Sequence, residues 1–321
     1  MLDNAPRKDA EDTPSSYWQE ELAGFEYLFD ASPLIIKKLR HHAYHITGAR
    51  EYDYRKHHAR ETPTLERRLR RLQSTDRHDL LVPESPELGG FGYLIGGALY
   101  NVDTLRFYEC LLTLDSQSLL DQFRNGSGPK TVLEIGSGWG GLAYQFKKLF
   151  PKTCYILIDF PASLLLAATY LKTTFPNSKT LLVDGSENSY HRIDPQAYDF
   201  IFIPHYGWSR LAFQRPDLLI NMASFQEMTT PQVEFYLRKA KEWGIPSIYS
   251  WNRDHSPNNP ELTYVSSIME KHYKIRTANL FTAPKANPRF YTKKILGFIF
   301  PKRFSDKRDP THAYKHLIGT L

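Results

Sequence analysis

One turn constrains this chain more than any other feature. In "TVLEIGSGWGGLAYQFKKLF", Thr131 to Phe150, an apolar run breaks into glycines and resumes with helical spacing. A buried strand entering a helix this way presents backbone N–H groups to a small ligand and lets main chain approach it closely. Gly136, Gly138 and Gly141 match the G-x-G-x-x-G spacing of dinucleotide sites. Glu134 does not fit that class, because an acid stands where the fingerprint carries an apolar residue. A carboxylate there repels a pyrophosphate and suits a cation.

The surroundings give the turn its architecture. "TVLEIG", "CYILID", "KTLLVD", "DFIFIP" and "SIYSWN" are short runs too apolar to have a wet face, as expected of parallel strands buried on both sides. Helical patterns at 140–150, 162–175 and 231–243 lie between them. The alternation predicts a doubly wound α/β sheet whose ligands sit at the strand carboxyl ends. Beyond Asn252, "YKIRTANL" and "RFYTKKILGFIF" read as a closing antiparallel pair.

Three of those strand ends carry acids. Glu134 lies two residues before Gly136, Asp159 ends the second strand, and Asp184 ends the third, with Gly185 after it. The ammonium and sulfonium of S-adenosylmethionine suit Glu134. A carboxylate about twenty residues on, at Asp159, suits a pair of ribose hydroxyls. Asp184 falls beside where an adenine lies, and Phe160 and Gly185 are assigned to the same cofactor site.

These residues carry a resemblance. "VLEIGSGWGGLAYQF" with "YILIDFP" resembles motif I and the following acidic strand end of class I S-adenosylmethionine-dependent methyltransferases. "LGGFGYLIGGALYNVDTLRFYECL", "DFPASLLLAATYL", "INMASFQEMT" and "YSWNRD" resemble a narrower family, the sugar O-methyltransferases of antibiotic and surface-polysaccharide pathways. The similarity runs from about Leu88 to Asp254. It implies a Rossmann-like class I methyltransferase sheet with helices on both faces, plus an N-terminal, mostly helical lid. It also implies methylation of a sugar hydroxyl in a nucleotide sugar, a glycosylated natural product or a polysaccharide unit.

An alcohol is a poor nucleophile until its proton is taken, so a general base is expected at the ends of strands four and five. "FIFIPHYGW" offers His205, whose ordinary pKa lies near neutrality. "INMASFQEMT" offers Glu227 as base, metal ligand or hydroxyl acceptor, with Asn221 and Gln226 beside it. "SWNRD" offers Asn252 and Arg253 to read the acceptor, and Asp254 as a third candidate for the chemistry. His205, Glu227 and Asp254 are chemically able to ligate magnesium, but no dense ligand motif accompanies them, and no metal is assigned. "IPHYG" departs from the Asn/Asp-Pro-Pro-aromatic pattern of amine methyltransferases.

The front third is expected to close the substrate side. Phe91 and Tyr93 are candidates to stack on a sugar ring, and Asn101, Asp103 and Arg106 to line the same cavity. The glycine-rich stretch around them reads as a loop. Asn101 and Asp103 are alternative N-caps for the helix that follows. The expected divisions are a lead-in over 1–16, a helical lid over 17–100, a methyltransferase domain over 101–300 and a basic tail over 301–321. Forty-one Lys and Arg against 35 Asp and Glu give a net charge of +6, which suits an anionic acceptor. With the arginines of "ERRLRRLQ" it also keeps an RNA methyltransferase in view, although no RNA module is recognisable and no nucleic-acid partner is expected. A third reading is a non-catalytic scaffold that binds a protein. Two cysteines inside apolar patterns, a polar start and no spanning apolar run make a cytoplasmic protein the default expectation. The lid also offers a surface for a homo-oligomer.

Overall fold

The computed structural model describes residues 14–24, 26–126, 128–183, 193–210, 215–256, 259–278, 280 and 313–321. The front region holds α1 (Ser16–Ala23), three single-turn helices α2 (Pro33–Ile36), α3 (Leu39–His42) and α4 (Tyr44–Thr47), and the longer α5 (Thr62–Gln73). Pro33 breaks the helical pattern and starts α2 at its first position, where a missing N–H costs nothing.

The glycine-rich stretch expected to be a loop contains a hairpin, β1 (Tyr93–Ile95) and β2 (Ala98–Tyr100). Gly96 and Gly97 between them both have positive φ, the conformation a two-residue hairpin turn requires. Asn101 then caps α6 (Val102–Ser116): its side-chain oxygen accepts from the Asp103 and Thr104 amides, and Thr104 Oγ1 accepts from the Asn101 amide.

The remainder follows in the order α7 (Asp121–Asn125), β3 (Thr131–Ile135), α8 (Gly141–Leu149), β4 (Cys154–Asp159), α9 (Pro161–Thr174), β5 (Thr180–Leu182), β6 (Phe200–Pro204), β7 (Leu218–Met222), α10 (Thr230–Glu242), β8 (Ser247–Arg253), α11 (Val265–Glu270), β9 (Lys274–Thr277) and β10 (Tyr314–Thr320). Eight strands form one sheet in the order β5-β6-β4-β3-β7-β8-β10-β9. From β5 to β8 they are parallel, and β10 runs antiparallel to both β8 and β9. Alternate side chains feed two cores. Val132, Tyr155, Phe202, Ile220 and Tyr249 face α6, α8 and α9, whereas Leu133, Ile156, Ile203, Leu219 and Ile248 face α10 and α11.

The sheet contains one strand that the expected five did not include: "LLINM" is β7 and pairs with β3. "FIFIP", expected as the fourth strand, is β6 and lies between β4 and β5. The closing antiparallel pair is real in its first half: "KIRT" is β9. Its partner is Tyr314–Thr320, while residues 289–300 lie outside the described residues. The expected tail over 301–321 therefore ends in a sheet strand. Among the described residues, no helix is long and apolar enough to cross a membrane.

Candidate functional site

Crossovers leave β3 in opposite directions, through α8 to β4 on one side and from β7 through α10 to β8 on the other. The crevice at the carboxyl ends of β3 and β7 is thus the switch point of the sheet, where open α/β folds bind ligands. A cavity of about 560 Å³ opens there. Its floor is the glycine turn. Gly136 has φ +73, and a Cβ on it would stand 1.9 Å from Ser224 Oγ, so the first glycine is dictated by both backbone and space. Gly138 and Gly140 also have positive φ.

Three carboxyl groups line this cavity close to the turn: Glu134, Asp159 and Glu227. Glu134 is buried on β3 and accepts a 2.9 Å hydrogen bond from the Tyr155 hydroxyl on the adjacent strand. Burial, with Asp159 nearby, pushes its pKa well above the usual carboxyl range against that bond. Asp159 accepts from the Gly138 and Phe160 amides at 2.7 Å each. Burial raises it to about 6, and those amides oppose the rise. Glu227 closes the short turn Phe225–Glu227 after β7. Burial pushes it up to about 8, opposed by the Gln226 amide and the Arg253 charge and assisted by Glu21 and Asp159. Ser137 Oγ, in the glycine turn, is buried without a hydrogen-bond partner among the described residues. The floor is thus rich in acceptors, and the glycine turn carries no basic side chain of its own.

The expected cofactor residues Glu134, Gly136, Gly138, Asp159 and Phe160 all line the one cavity. Asp184 and Gly185 lie outside the described residues. His205 also lines it, at the carboxyl end of the "FIFIP" strand. It follows β6, beyond β4, and its ring packs edge-on against Phe160 with centroids 4.7 Å apart. Glu227, by contrast, follows β7, immediately beside the glycine turn's own strand.

Of the expected acceptor residues, Asp103 and Arg106 line the cavity and are paired at 3.2 Å. The others serve the scaffold. Phe91 is buried against His41, with the Arg40 guanidinium 4.7 Å from its ring centre. The Tyr93 hydroxyl donates to the Asp53 and His58 carbonyls. Asn101 caps α6 and donates to Glu84 and the Phe91 carbonyl. Asn221, Asn252 and Gln226 form a buried amide network. Asn221 donates to the Ile135 carbonyl and accepts from Asn252, and Asn252 accepts from the Gln226 backbone N–H. The Arg253 guanidinium lies 5.0 Å from the Tyr314 ring centre. Asp254 is not a cavity residue. It accepts from Ser266 and from Lys315 at 2.7 Å, and these donors hold its pKa below the ordinary value although burial alone would raise it.

Several cavity residues had no signal in the expectations. Trp18 and Glu21 come from α1, Tyr44 and Thr47 from α4, Trp251 from β8 and Tyr314 from β10. Arg40 is also new: fully buried, it bridges Glu84 at 2.7 Å and Asp103 at 2.9 Å, and lies 3.8 Å from the Trp139 ring centre. It thereby ties the front helices to the glycine turn. Among the described residues, no group of three or more His, Cys, Asp or Glu is placed to hold a metal ion.

No protein-family model and no curated protein matches the chain. Solved structures do resemble it. A Nostoc punctiforme protein provisionally named an O-methyltransferase is 11% identical, over 81% of this chain and 70% of its own, with a TM-score of 0.39. Magnesium protoporphyrin IX methyltransferase from Synechocystis, solved with bound S-adenosylhomocysteine, is 9% identical over 81% of this chain and 95% of its own, with a TM-score of 0.40. The [4+2]-cyclase SpnF is 11% identical over 53% of this chain and 62% of its own, with a TM-score of 0.37. Likeness at this level leaves the assignment to the chain's own sheet. Its parallel strands, antiparallel β10, helices on both faces and helical front region form a Rossmann-like architecture.

Proposed function

We propose that this chain is an S-adenosylmethionine-dependent O-methyltransferase acting on a sugar hydroxyl, with Glu227 as general base. The observation that carries the reading is the placement of Glu134, Asp159 and Glu227 around one cavity at the switch point. A dinucleotide pyrophosphate finds Glu134, Asp159 and Glu227 around a glycine turn that carries no basic side chain of its own, although Arg50 and Arg106 line the same cavity elsewhere. A sulfonium and an ammonium find matching charge once the acids ionise. Glu134 would hold the amino-acid end and Asp159 the ribose hydroxyls. The ring of Phe160, next along the chain, and that of His205 would flank the base. Ser137 Oγ supplies a further buried polar group. When bound, the cofactor supplies an electrophilic methyl group.

The chain's own residues do the rest. Glu227, with a pKa of about 8, is half neutral and half ionised within the working range of an alcohol-directed base. Its carboxylate accepts the hydroxyl proton as the oxygen becomes nucleophilic. Trp18 and the α4 residues Tyr44 to Thr47 line the crevice from the front region. The walls combine aromatic rings with Asp103, Arg106 and Glu21, the mixture of flat apolar faces and planar polar groups that recognises a polyol ring. His205 belongs to the cofactor end on this reading. The acceptor class is a nucleotide sugar, a glycosylated metabolite or a polysaccharide unit. α5, the arginine-rich helix, contributes no residue to the cavity, and Arg68 and Arg70 are paired with Glu109 and Glu66. The arginines of α5 therefore give the RNA reading no support at the acids' cavity.

The test is a calorimetric titration with S-adenosylhomocysteine, with NAD as control, followed by transfer of labelled methyl groups to a panel of nucleotide sugars and glycosides. Binding of the former alone, and label on a sugar, is the expected result. Absence of S-adenosylhomocysteine binding, or labelling of RNA in place of every sugar, overturns the reading.

A further inference from the structure

We propose that Tyr314, on β10, is a positioning residue for Glu227, acting through the side-chain amide of Gln226 and the guanidinium of Arg253. The inference rests on Glu227 being the base.

Glu227 has few partners. Gln226 Nε2 donates to Glu227 Oε1 at 3.5 Å, the long limit of a hydrogen bond, and no cation lies in salt-bridge range among the described residues. What sets the orientation of that amide is therefore what sets the carboxyl's environment. Gln226 is buried and fixed at both ends. Its Oε1 accepts from the Arg253 backbone N–H at 2.8 Å, and its Nε2 also donates to Tyr314 Oη at 3.2 Å. Swapping the amide's two ends would set Nε2 against the Arg253 backbone N–H, donor against donor, so that N–H fixes which end faces Glu227 while Tyr314 Oη anchors Nε2 in place.

The second arm is electrostatic. The Arg253 guanidinium lies over the Tyr314 ring, 5.0 Å from its centre, and that ring also stacks on Trp251 with centroids 4.5 Å apart and planes 24° from parallel. The stack seats a positive charge where Glu227 senses it. Facing Glu227 from the other elements are Glu21 on α1 and Asp159 on β4, both disfavouring its ionised form. Arg253 and the Gln226 amide are the two opposing influences, and Tyr314 holds both. A residue 88 positions from Gln226 thus sets how readily Glu227 ionises.

The two arms separate by substitution. Tyr314→Phe removes Oη and keeps the ring under Arg253. Tyr314→Leu removes both, Arg253→Gln removes the charge alone, and Gln226→Leu removes the amide alone. The readout is the carboxyl C=O infrared band that disappears in Glu227→Gln, followed against pH in the full-length protein. This requires no acceptor and no turnover. Losing the amide is expected to raise its midpoint by about one unit, and losing the charge by less. Tyr314→Phe should raise it by a fraction of the Gln226→Leu shift, since the Arg253 backbone N–H still holds the amide, and Tyr314→Leu should exceed Tyr314→Phe. The acidic limb of the kcat profile should move with the midpoint, while affinity for S-adenosylhomocysteine stays within about twofold. Unmoved midpoints in Tyr314→Leu, in protein with a normal far-ultraviolet spectrum, overturn the proposal. Moved midpoints in a protein that methylates nothing leave the positioning role standing and refute the catalytic reading instead.

Discussion

Gly136→Ala tests the construction of the switch point at a single atom. Two costs are separable there. An alanine at φ +73 sits in left-handed backbone, which costs about 1–2 kcal/mol. Its Cβ would also stand 1.9 Å from Ser224 Oγ and 2.3 Å from Ser224 Cβ. No rotamer of Ser224 relieves the second contact, because Cβ does not move with χ1. The loop after β7 must shift, at about 1–3 kcal/mol, typical of overpacking. The single variant should therefore lose about 2–5 kcal/mol in chemical denaturation. Ser224→Gly removes both offending atoms and by itself should cost no more than about 1 kcal/mol. In the double variant only the left-handed backbone strain at position 136 remains, so the pair should show a favourable coupling of about 1–3 kcal/mol. Calorimetry with S-adenosylhomocysteine should follow the same order, because Gly136 is part of the turn that lines the cofactor end of the cavity. Strictly additive losses would falsify the close packing of the glycine turn on the β7 loop.

Other outcomes follow from the acids and the buried arginine. Glu227→Gln should lower kcat by about 10²–10⁴ with cofactor affinity nearly intact, and the parent's rate should climb about 90-fold between pH 6 and pH 9 as a group of pKa about 8 ionises. The same carboxyl binds its proton more tightly folded than unfolded, so its contribution to stability is complete at low pH and fades from about pH 4.5 to about pH 8. Thermal melts should accordingly show Glu227→Gln gaining on the parent at pH 8.5 relative to pH 5, and an equal difference at both would contradict the assignment. Asp159→Asn replaces a charged acceptor at the cofactor end and should weaken S-adenosylhomocysteine binding about 10- to 100-fold by titration calorimetry. Arg40→Met leaves Glu84 and Asp103 buried without their shared cation, and denaturant unfolding should register a loss of about 3–5 kcal/mol.

Local chemistry was legible in the sequence wherever a few consecutive residues decide the outcome. The glycine turn, the Asn101 cap of α6, and the acids Glu134 and Asp159 at strand ends are all of this kind. Sheet order was not, because a strand buried on both faces is only an apolar run, and nothing within "LLINM" or "FIFIP" says which neighbour it pairs with. That decision set His205 on the Phe160 side and Glu227 beside the glycine turn. Facing was not legible either. Phe91 and Trp251 are both aromatic residues in apolar contexts, yet packing turns the first into the front region's core and sets the second on the cavity wall. Asn221, Gln226 and Asn252 read as ligand-seeking amides, whereas their hydrogen bonds to backbone and to one another are made only once β3, β7 and β8 lie side by side. Sequence thus determined which chemical groups end each strand. Tertiary pairing decided which of them share a cavity, since burial and Coulombic contact depend on distances the chain acquires only on folding.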